Sequence, residues 1–194
     1  MNNKQKTANI AIIGMFSAVT VVLQLLSYGI KIGTFNLSLV LIPIVLGAYL
    51  YGPKVGAILG GVFGAVVTIC CFTGLDAGGY ILVSASPFLT SAVCLLKGIA
   101  AGLASGLVAK ALKAKNEYLA VVLAALTAPI VNTGLFVGAM FIFFKDILAS
   151  WAGGANIVTY AITGLVGVNF IIEFTVNAVM APSLLRIVKA VKRI

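Results

Sequence analysis

Long apolar runs, broken by short segments rich in glycine, proline or charge, dominate the pattern of this chain. A membrane-crossing helix needs about 20 apolar residues, each adding about 1.5 Å. The runs are too long and too evenly apolar for barrel strands, in which polar and apolar residues alternate. The pattern therefore predicts an all-α integral membrane protein, a compact bundle of six transmembrane helices. The predicted spans are 7–28, 36–51, 53–73, 88–110, 118–144 and 159–187.

Composition supports one membrane domain over residues 1–194. Hydrophobic residues make up 62% of the chain and charged residues only 9%, a balance that a soluble domain with a hydrated surface could not sustain. No soluble domain or long linker interrupts the spans. We therefore expect a multi-pass protein whose main surroundings are the lipid bilayer.

The basic residues are distributed unequally between the two sides. With six crossings the termini share a side, and that side carries ten of the 13 basic residues. These are Lys4, Lys6, Lys54, Lys110, Lys113, Lys115, Arg186, Lys189, Lys192 and Arg193. The opposite loops carry Lys31 and Lys145, so the positive-inside rule predicts cytoplasmic termini. The net charge of +9 lies beside membrane exits and therefore indicates no nucleic-acid partner.

The chain lacks the usual residues of enzymes and metal sites. It has no histidine, and it contains neither a phosphate-binding Gly-x4-Gly-Lys-Ser/Thr loop nor a hydrolase motif. The three cysteines lie in apolar spans, where we interpret them as small hydrophobic residues; a redox pair of Cys70 and Cys71 is the less favoured alternative. We expect no catalytic residue, no metal and no cofactor, and any ATP coupling must come from partner subunits.

Small residues recur every fourth position in two spans, at Gly56, Gly60 and Gly64 and at Gly98, Gly102 and Gly106. Such stripes allow helix backbones to approach closely. We interpret them as packing within the bundle; a docking face for another subunit is the less favoured alternative.

The candidate site consists of polar residues inside the apolar spans. Asn169, Glu173 and Asn177 follow one another at four-residue intervals and so share a helix face. Lys97 lies at a similar depth in the fourth span and is the natural partner of Glu173, and Asn132 adds an amide in the fifth. Because intramembrane charges are costly, they commonly mark a solute or ion pathway. A purely structural polar network is the alternative.

Two short segments resemble a known family. Residues 35–43, FNLSLVLIP, and residues 50–56, LYGPKVG, resemble in order and spacing the substrate-binding S components of energy-coupling factor transporters. The resemblance implies a bacterial or archaeal cell membrane protein that captures a vitamin between helices four to six, beneath a closing loop at residues 27–36. It also implies partners: a membrane-embedded coupling T subunit and two cytoplasmic ATPase subunits. The docking motif of the family corresponds here to Gly14 and Ala18, with Ala11 nearby.

The identity of the solute remains open at this stage. A pocket with Lys97, Glu173 and several amides suits a small, flexible molecule with a carboxylate, and pantothenate is the first candidate. Riboflavin and a vitamin B6 form are alternatives, although riboflavin-binding members often have an acidic residue where this chain has Asn36 and Ser38. A different class remains possible: a stand-alone ion-coupled secondary carrier that uses Lys97 and Glu173 as a relay. A membrane protein with only an interaction role would have no solute site.

Overall fold

Helices form nearly all of the computed structural model, which describes residues 3–29, 31–32, 35–36 and 40–191. Side-chain surroundings are described for 10–29 and 40–186, except 166, 168 and 169, and for 189. The α-helices are α1 Asn3–Ser27, α2 Leu41–Tyr51, α3 Pro53–Thr73, α4 Ala77–Ala85, α5 Pro87–Leu112, α6 Glu117–Phe143, α7 Lys145–Ala152, α8 Ile157–Tyr160 and α9 Val168–Val191, with a π-helical segment at Ala161–Gly167. Two-residue strands, β1 Lys31–Ile32 and β2 Phe35–Asn36, pair antiparallel after α1.

The helical membrane architecture expected from the sequence is confirmed. Within the described residues, five helical stretches are long and apolar enough to cross a membrane. They are Ile10–Ser27, Pro53–Thr73, Pro87–Leu112, Glu117–Phe143 and Ile157–Arg186. Helix α2 is shorter than the predicted span 36–51, with 11 residues, and a crossing there stays a prediction.

Helix α2 lies inside the bundle. Most of its side chains are buried, and Ile44 is fully inaccessible. The helix ends at Gly52, whose φ of 96° is a left-handed conformation that favours glycine, and Pro53 then begins α3. The Tyr49 hydroxyl donates to Glu117 (3.3 Å), and the Lys113 ammonium donates to the Tyr49 carbonyl (3.3 Å). These bonds attach the end of α2 to the α5–α6 connection.

Helices α3 and α5 form the most extensive helix–helix contact. A Cβ atom added to Gly56 would overlap the Gly102 carbonyl, and one added to Gly60 would overlap the Gly98 carbonyl. Glycine is therefore required for this close approach of the two backbones. The interpretation of both glycine stripes as packing within the bundle is confirmed.

Two short helices, α4 and α7, lie between the predicted spans and were not expected. The Asp76 carboxylate caps α4 by accepting a hydrogen bond from the Gly79 N–H (2.8 Å). Leu82 of α4 and Leu148 of α7 are both buried in a second apolar cluster. That cluster also contains Met140, Phe144, Ala161 and Leu165. The two helices therefore close one end of the bundle, which we call the α4–α7 end.

Candidate functional site

A cavity of about 100 Å³ lies in the half of the bundle toward the α4–α7 end. Its walls come from α1, α3, α4, α5, α6 and the continuous helix 157–191. Apolar side chains, among them Phe63, Val67 and Leu165, form much of the lining. Pockets for drug-sized ligands are typically about 300–1,000 Å³. A vitamin-sized solute would therefore require side chains or a wall segment to move outward.

Three of the five sequence-predicted binding residues line this cavity: Lys97, Asn132 and Glu173. They come from α5, α6 and α9, the three long helices in which they were expected to meet. Asn177 does not line the cavity, although it is buried on α9. The side chain of Asn169 lies outside the described residues. The structure thus brings the two predicted charges and one predicted amide to a single cavity.

Glu173 and Asn177 are related along α9 by one helical turn. Both are buried, with 6% and 1% of their surfaces exposed. The Asn177 amide donates a hydrogen bond to the backbone carbonyl of Glu173 at 2.8 Å. This bond gives the Asn177 amide nitrogen a hydrogen-bond partner within its own helix. The geometry therefore gives Asn177 a local role beside Glu173 rather than a place on the cavity wall.

The Lys97 ammonium lies over the ring of Phe136, 5.0 Å from its centroid. A cation at this distance is attracted to the negative face of an aromatic ring. The sequence analysis named Lys97 as the natural partner of Glu173, and that pairing stays a prediction; the structure adds the aromatic contact of Lys97. The ring holds the ammonium at the wall of the cavity, so that it can meet a solute.

Asn132 lies near the centre of α6, three residues after Pro129. Proline has no backbone N–H, so it removes one helical hydrogen bond where it stands. The Asn132 side chain is 6% exposed, and its Oδ1 has no hydrogen-bond partner among the described atoms. A buried carbonyl-type acceptor without a donor is costly. Asn132 therefore offers the cavity an unused acceptor.

Two residues that the sequence analysis missed also line the cavity: Gln24 of α1, and Tyr28, which directly follows the end of α1 at Ser27. Thr20 and Gln24 are one turn apart and share a helix face, and Tyr28 continues the same four-residue interval just past the helix. All three are buried, and Thr20 Oγ1 and Gln24 Oε1 have no described hydrogen-bond partner. The Tyr28 hydroxyl lies beside the Gln24 side chain and the Cys70 thiol. The four-residue spacing of polar residues in an apolar span is a signal that could have identified this face.

The Tyr28 hydroxyl remains protonated at neutral pH. A tyrosine phenol ordinarily has a pKa of about 10, so it is uncharged at that pH. The hydroxyl can therefore donate one hydrogen bond and accept another at the cavity wall.

Asp76 is the third wall residue that the sequence did not single out. It stands just before α4, and the same carboxylate that caps this helix borders the cavity. The described lining thus carries one basic residue, Lys97, and two acidic residues, Asp76 and Glu173. Asp76 was missed because an aspartate in a loop is common and gives no signal in the sequence. Its position beside the cavity depends on the packing of α4, which it caps.

The three cysteines are buried and none forms a disulfide. Cys71 and Cys94 line the cavity, whereas Cys70 does not. Within the described part of the chain, no group of three or more metal-binding side chains is close enough to hold an ion.

The predicted docking residues Ala11, Gly14 and Ala18 lie on an exposed face of α1. A Cβ atom added to Gly14 would meet nothing within 4 Å. Large apolar side chains, including Ile10 and Met15, extend the same exposed surface. One helix therefore presents polar residues to the cavity and a small-residue surface to its surroundings.

Among protein-family models, the chain matches the one described as "ECF transporter, substrate-specific component" over residues 8–185. The search of curated proteins found no match.

Proposed function

The chain belongs to the substrate-specific components of energy-coupling factor (ECF) transporters, and we propose that its cavity is the solute site of this activity. Members of this family are substrate-binding transporter subunits, which work with a T subunit and an ATPase module. The protein is thus a multi-pass membrane protein that captures a substrate for such a transporter. The observation that carries the assignment of the site is the convergence of Lys97, Asn132 and Glu173 on one cavity.

The proposed substrate is a water-soluble vitamin or a related small solute, and pantothenate is the first compound to test. Lys97 would bind a carboxylate through a charge-assisted hydrogen bond. Asn132 and Glu173 would bind the hydroxyl and amide groups of the solute. Riboflavin and a vitamin B6 form belong in the same test, because amides and carboxylates can also bind their ring substituents.

We propose a single membrane domain, residues 1–194, with six crossings and both termini in the cytoplasm of a bacterium or archaeon. The burial of α2 supports its passage through the interior of the bundle, where a short helix needs little contact with lipid. In this orientation the α4–α7 end faces outward, and the cavity opens toward the medium from which solute is captured. ATP would then be hydrolysed only by the partner subunits.

The exposed small-residue face of α1, at Ala11, Gly14 and Ala18, is the proposed docking surface for the T subunit. Small side chains permit close helix approach inside a membrane. Its position supports this role, because nothing in the described part of the chain covers Gly14.

A thermal-shift screen of the purified full chain in detergent, without partners, tests the proposed function. The panel contains pantothenate, riboflavin, pyridoxine, pyridoxamine, and the remaining water-soluble vitamins. A ligand at a hundredfold excess over Kd stabilises the folded state by about 2.7 kcal/mol, which raises Tm measurably. A shift with one vitamin supports capture of that solute. Absence of any shift, together with pH-dependent solute uptake by the chain alone in vesicles, would instead support the ion-coupled carrier.

A further inference from the structure

We infer that the solute presents hydrogen-bond donors, such as an N–H edge or a protonated amine, to acceptors on Gln24, Asn132 and Asp76. This inference rests on the proposed function and narrows its substrate class. It also assigns Gln24, on α1, as a specificity-determining residue.

The first observation is a pair of unused acceptors on two different helices that line the cavity. Gln24 is 2% exposed and Asn132 is 6% exposed, and both line the cavity. The side-chain oxygen of each has no hydrogen-bond partner among the described atoms. A buried polar atom normally has a partner, so an unpaired one on a residue that lines a cavity points to a partner that arrives from outside the chain.

The second observation is the size of the cavity that both residues line. The cavity measures about 100 Å³, so groups on its walls lie within reach of one small molecule. In the solute-free structure both side-chain oxygens are closed to water. A solute that moves the walls outward meets these oxygens, and only a solute with its own donors can bond to both.

The third observation is the charge of the lining. Asp76 and Glu173 are acidic, while Lys97 is the basic residue of the described wall. One carboxylate oxygen of Asp76 is held by the α4 cap at 2.8 Å, which fixes the position of the group beside the cavity. Fixed acceptors of negative charge favour donor-rich or cationic groups. A carboxylate at Lys97 and donors at Gln24 and Asp76 together describe a solute with one acidic and one donor-bearing end.

Matched solute pairs, measured on the full chain in detergent by calorimetry and thermal shift, test this inference. The pairs are pyridoxamine and pyridoxine, β-alanine and propionate, pantothenate and N-methylpantothenate, and riboflavin and N3-methylriboflavin. In each pair the second compound lacks an N–H donor of the first. A site built to bind a donor rejects the analogue without it, so we expect the first member of a binding pair to bind at least about tenfold more tightly.

The variant Gln24→Met is expected to reduce that preference to less than about threefold. Thermal unfolding of the solute-free variant checks that the fold is kept, because the Gln24 side chain also lies beside the Tyr28 hydroxyl. Gln24→Glu, which keeps only acceptors, is expected to retain or increase the preference. Thr20→Val is the matched control: Thr20 is buried and unpaired on the same helix face but does not line the cavity, and its variant should keep the wild-type preference.

Asp76→Asn removes the negative charge but keeps the helix cap, because asparagine caps a helix about as well as aspartate. It is expected to weaken binding of pyridoxamine and β-alanine, which carry an ammonium group, more than binding of riboflavin.

The outcomes of these measurements distinguish failure of the donor inference from failure of the proposed function. Equal binding of both members of a pair, or an unchanged preference in Gln24→Met, would overturn the donor inference and leave the proposed function standing. Failure of the wild-type chain to bind any vitamin or panel compound would overturn the proposed function and the inference with it.

Discussion

Gly60 of α3 and Gly98 of α5 meet backbone to backbone, and a Cβ atom on either would overlap the carbonyl group of the other. Gly56 and Gly102 repeat this contact one turn away. The contact joins α3 and α5 along the wall that carries Cys71, Cys94 and Lys97 into the cavity.

Gly60→Ala should destabilise the protein by about 1–3 kcal/mol, because the added methyl group overpacks a contact made by rigid backbone. Thermal unfolding in detergent would measure the change. Gly61→Ala is the matched control, since a Cβ atom there would lie 3.5 Å from Ile99, an ordinary contact distance. Equal effects of the two variants would show that the close approach is not needed for stability.

Glu173→Gln should weaken solute binding by about tenfold or more, because a charge-assisted hydrogen bond becomes a neutral one. The melting temperature of the solute-free chain should change little. Asn177→Ala should lower the melting temperature and leave solute affinity nearly unchanged, since Asn177 bonds to the Glu173 backbone and does not line the cavity. Isothermal titration and thermal unfolding separate the two effects. A stability loss in Glu173→Gln with unchanged affinity would indicate a structural role for the carboxylate.

Lys97→Met should weaken pantothenate binding by about tenfold to a hundredfold, because the ammonium that meets the carboxylate is lost. Pantothenol, which has a hydroxyl in place of the carboxylate, should bind the variant and the wild type alike. Lys110→Met, at the exposed end of α5, is the control for a loss of positive charge. If Lys97→Met weakened both ligands equally, Lys97 would act through packing on Phe136 rather than through its charge.

The sequence predicted the long helices well because uninterrupted apolar runs specify them directly. Lys97 and Glu173 became site candidates for a related reason, since a charge within such a run is conspicuous; both line the cavity, and their contact with a solute stays a prediction. Gln24 and Tyr28 were missed because uncharged polar residues near a span end also fit an interfacial position. Asp76 was missed because its place depends on α4. Helix α4 has only nine residues, too few for a clear periodic signal in the sequence. Its stability comes instead from the packing of Leu82 in one cluster with Met140 and Leu148.

Gly14→Leu should leave solute affinity unchanged and abolish uptake by the assembled transporter, because leucine would keep a partner helix at a distance. Gly134→Leu is the control, since a Cβ atom at Gly134 on α6 also meets nothing within 4 Å. Co-purification with the T subunit and vesicle uptake report docking, and calorimetry reports binding. Normal uptake by Gly14→Leu would exclude this face as the docking surface.

Solute should protect Cys71 and Cys94 from a small thiol reagent such as methyl methanethiosulfonate, because both line the cavity. Cys70 is buried and directly precedes Cys71 in the sequence, but it does not line the cavity. Variants that retain Cys71 alone or Cys70 alone allow the rates to be compared by mass spectrometry. We expect solute to slow modification in the Cys71 variant only. Equal protection of Cys70 would indicate a global change in stability rather than occupancy of the cavity.

The π-helical segment Ala161–Gly167 determines which side chains of the following helix, α9, point toward the cavity. Each residue of an α-helix turns by about 100°, and a π-turn accommodates a residue in excess of the regular repeat. Deleting one residue there would rotate Glu173 by about that angle, away from the cavity, while leaving the helix continuous. Deletion of Gly153 or Gly154, which lie in the turn before α8, would instead be absorbed by the loop. The number of residues is therefore constrained within the last span, whereas the loop before it can vary in length. Insertions and deletions in related chains should accumulate before residue 157.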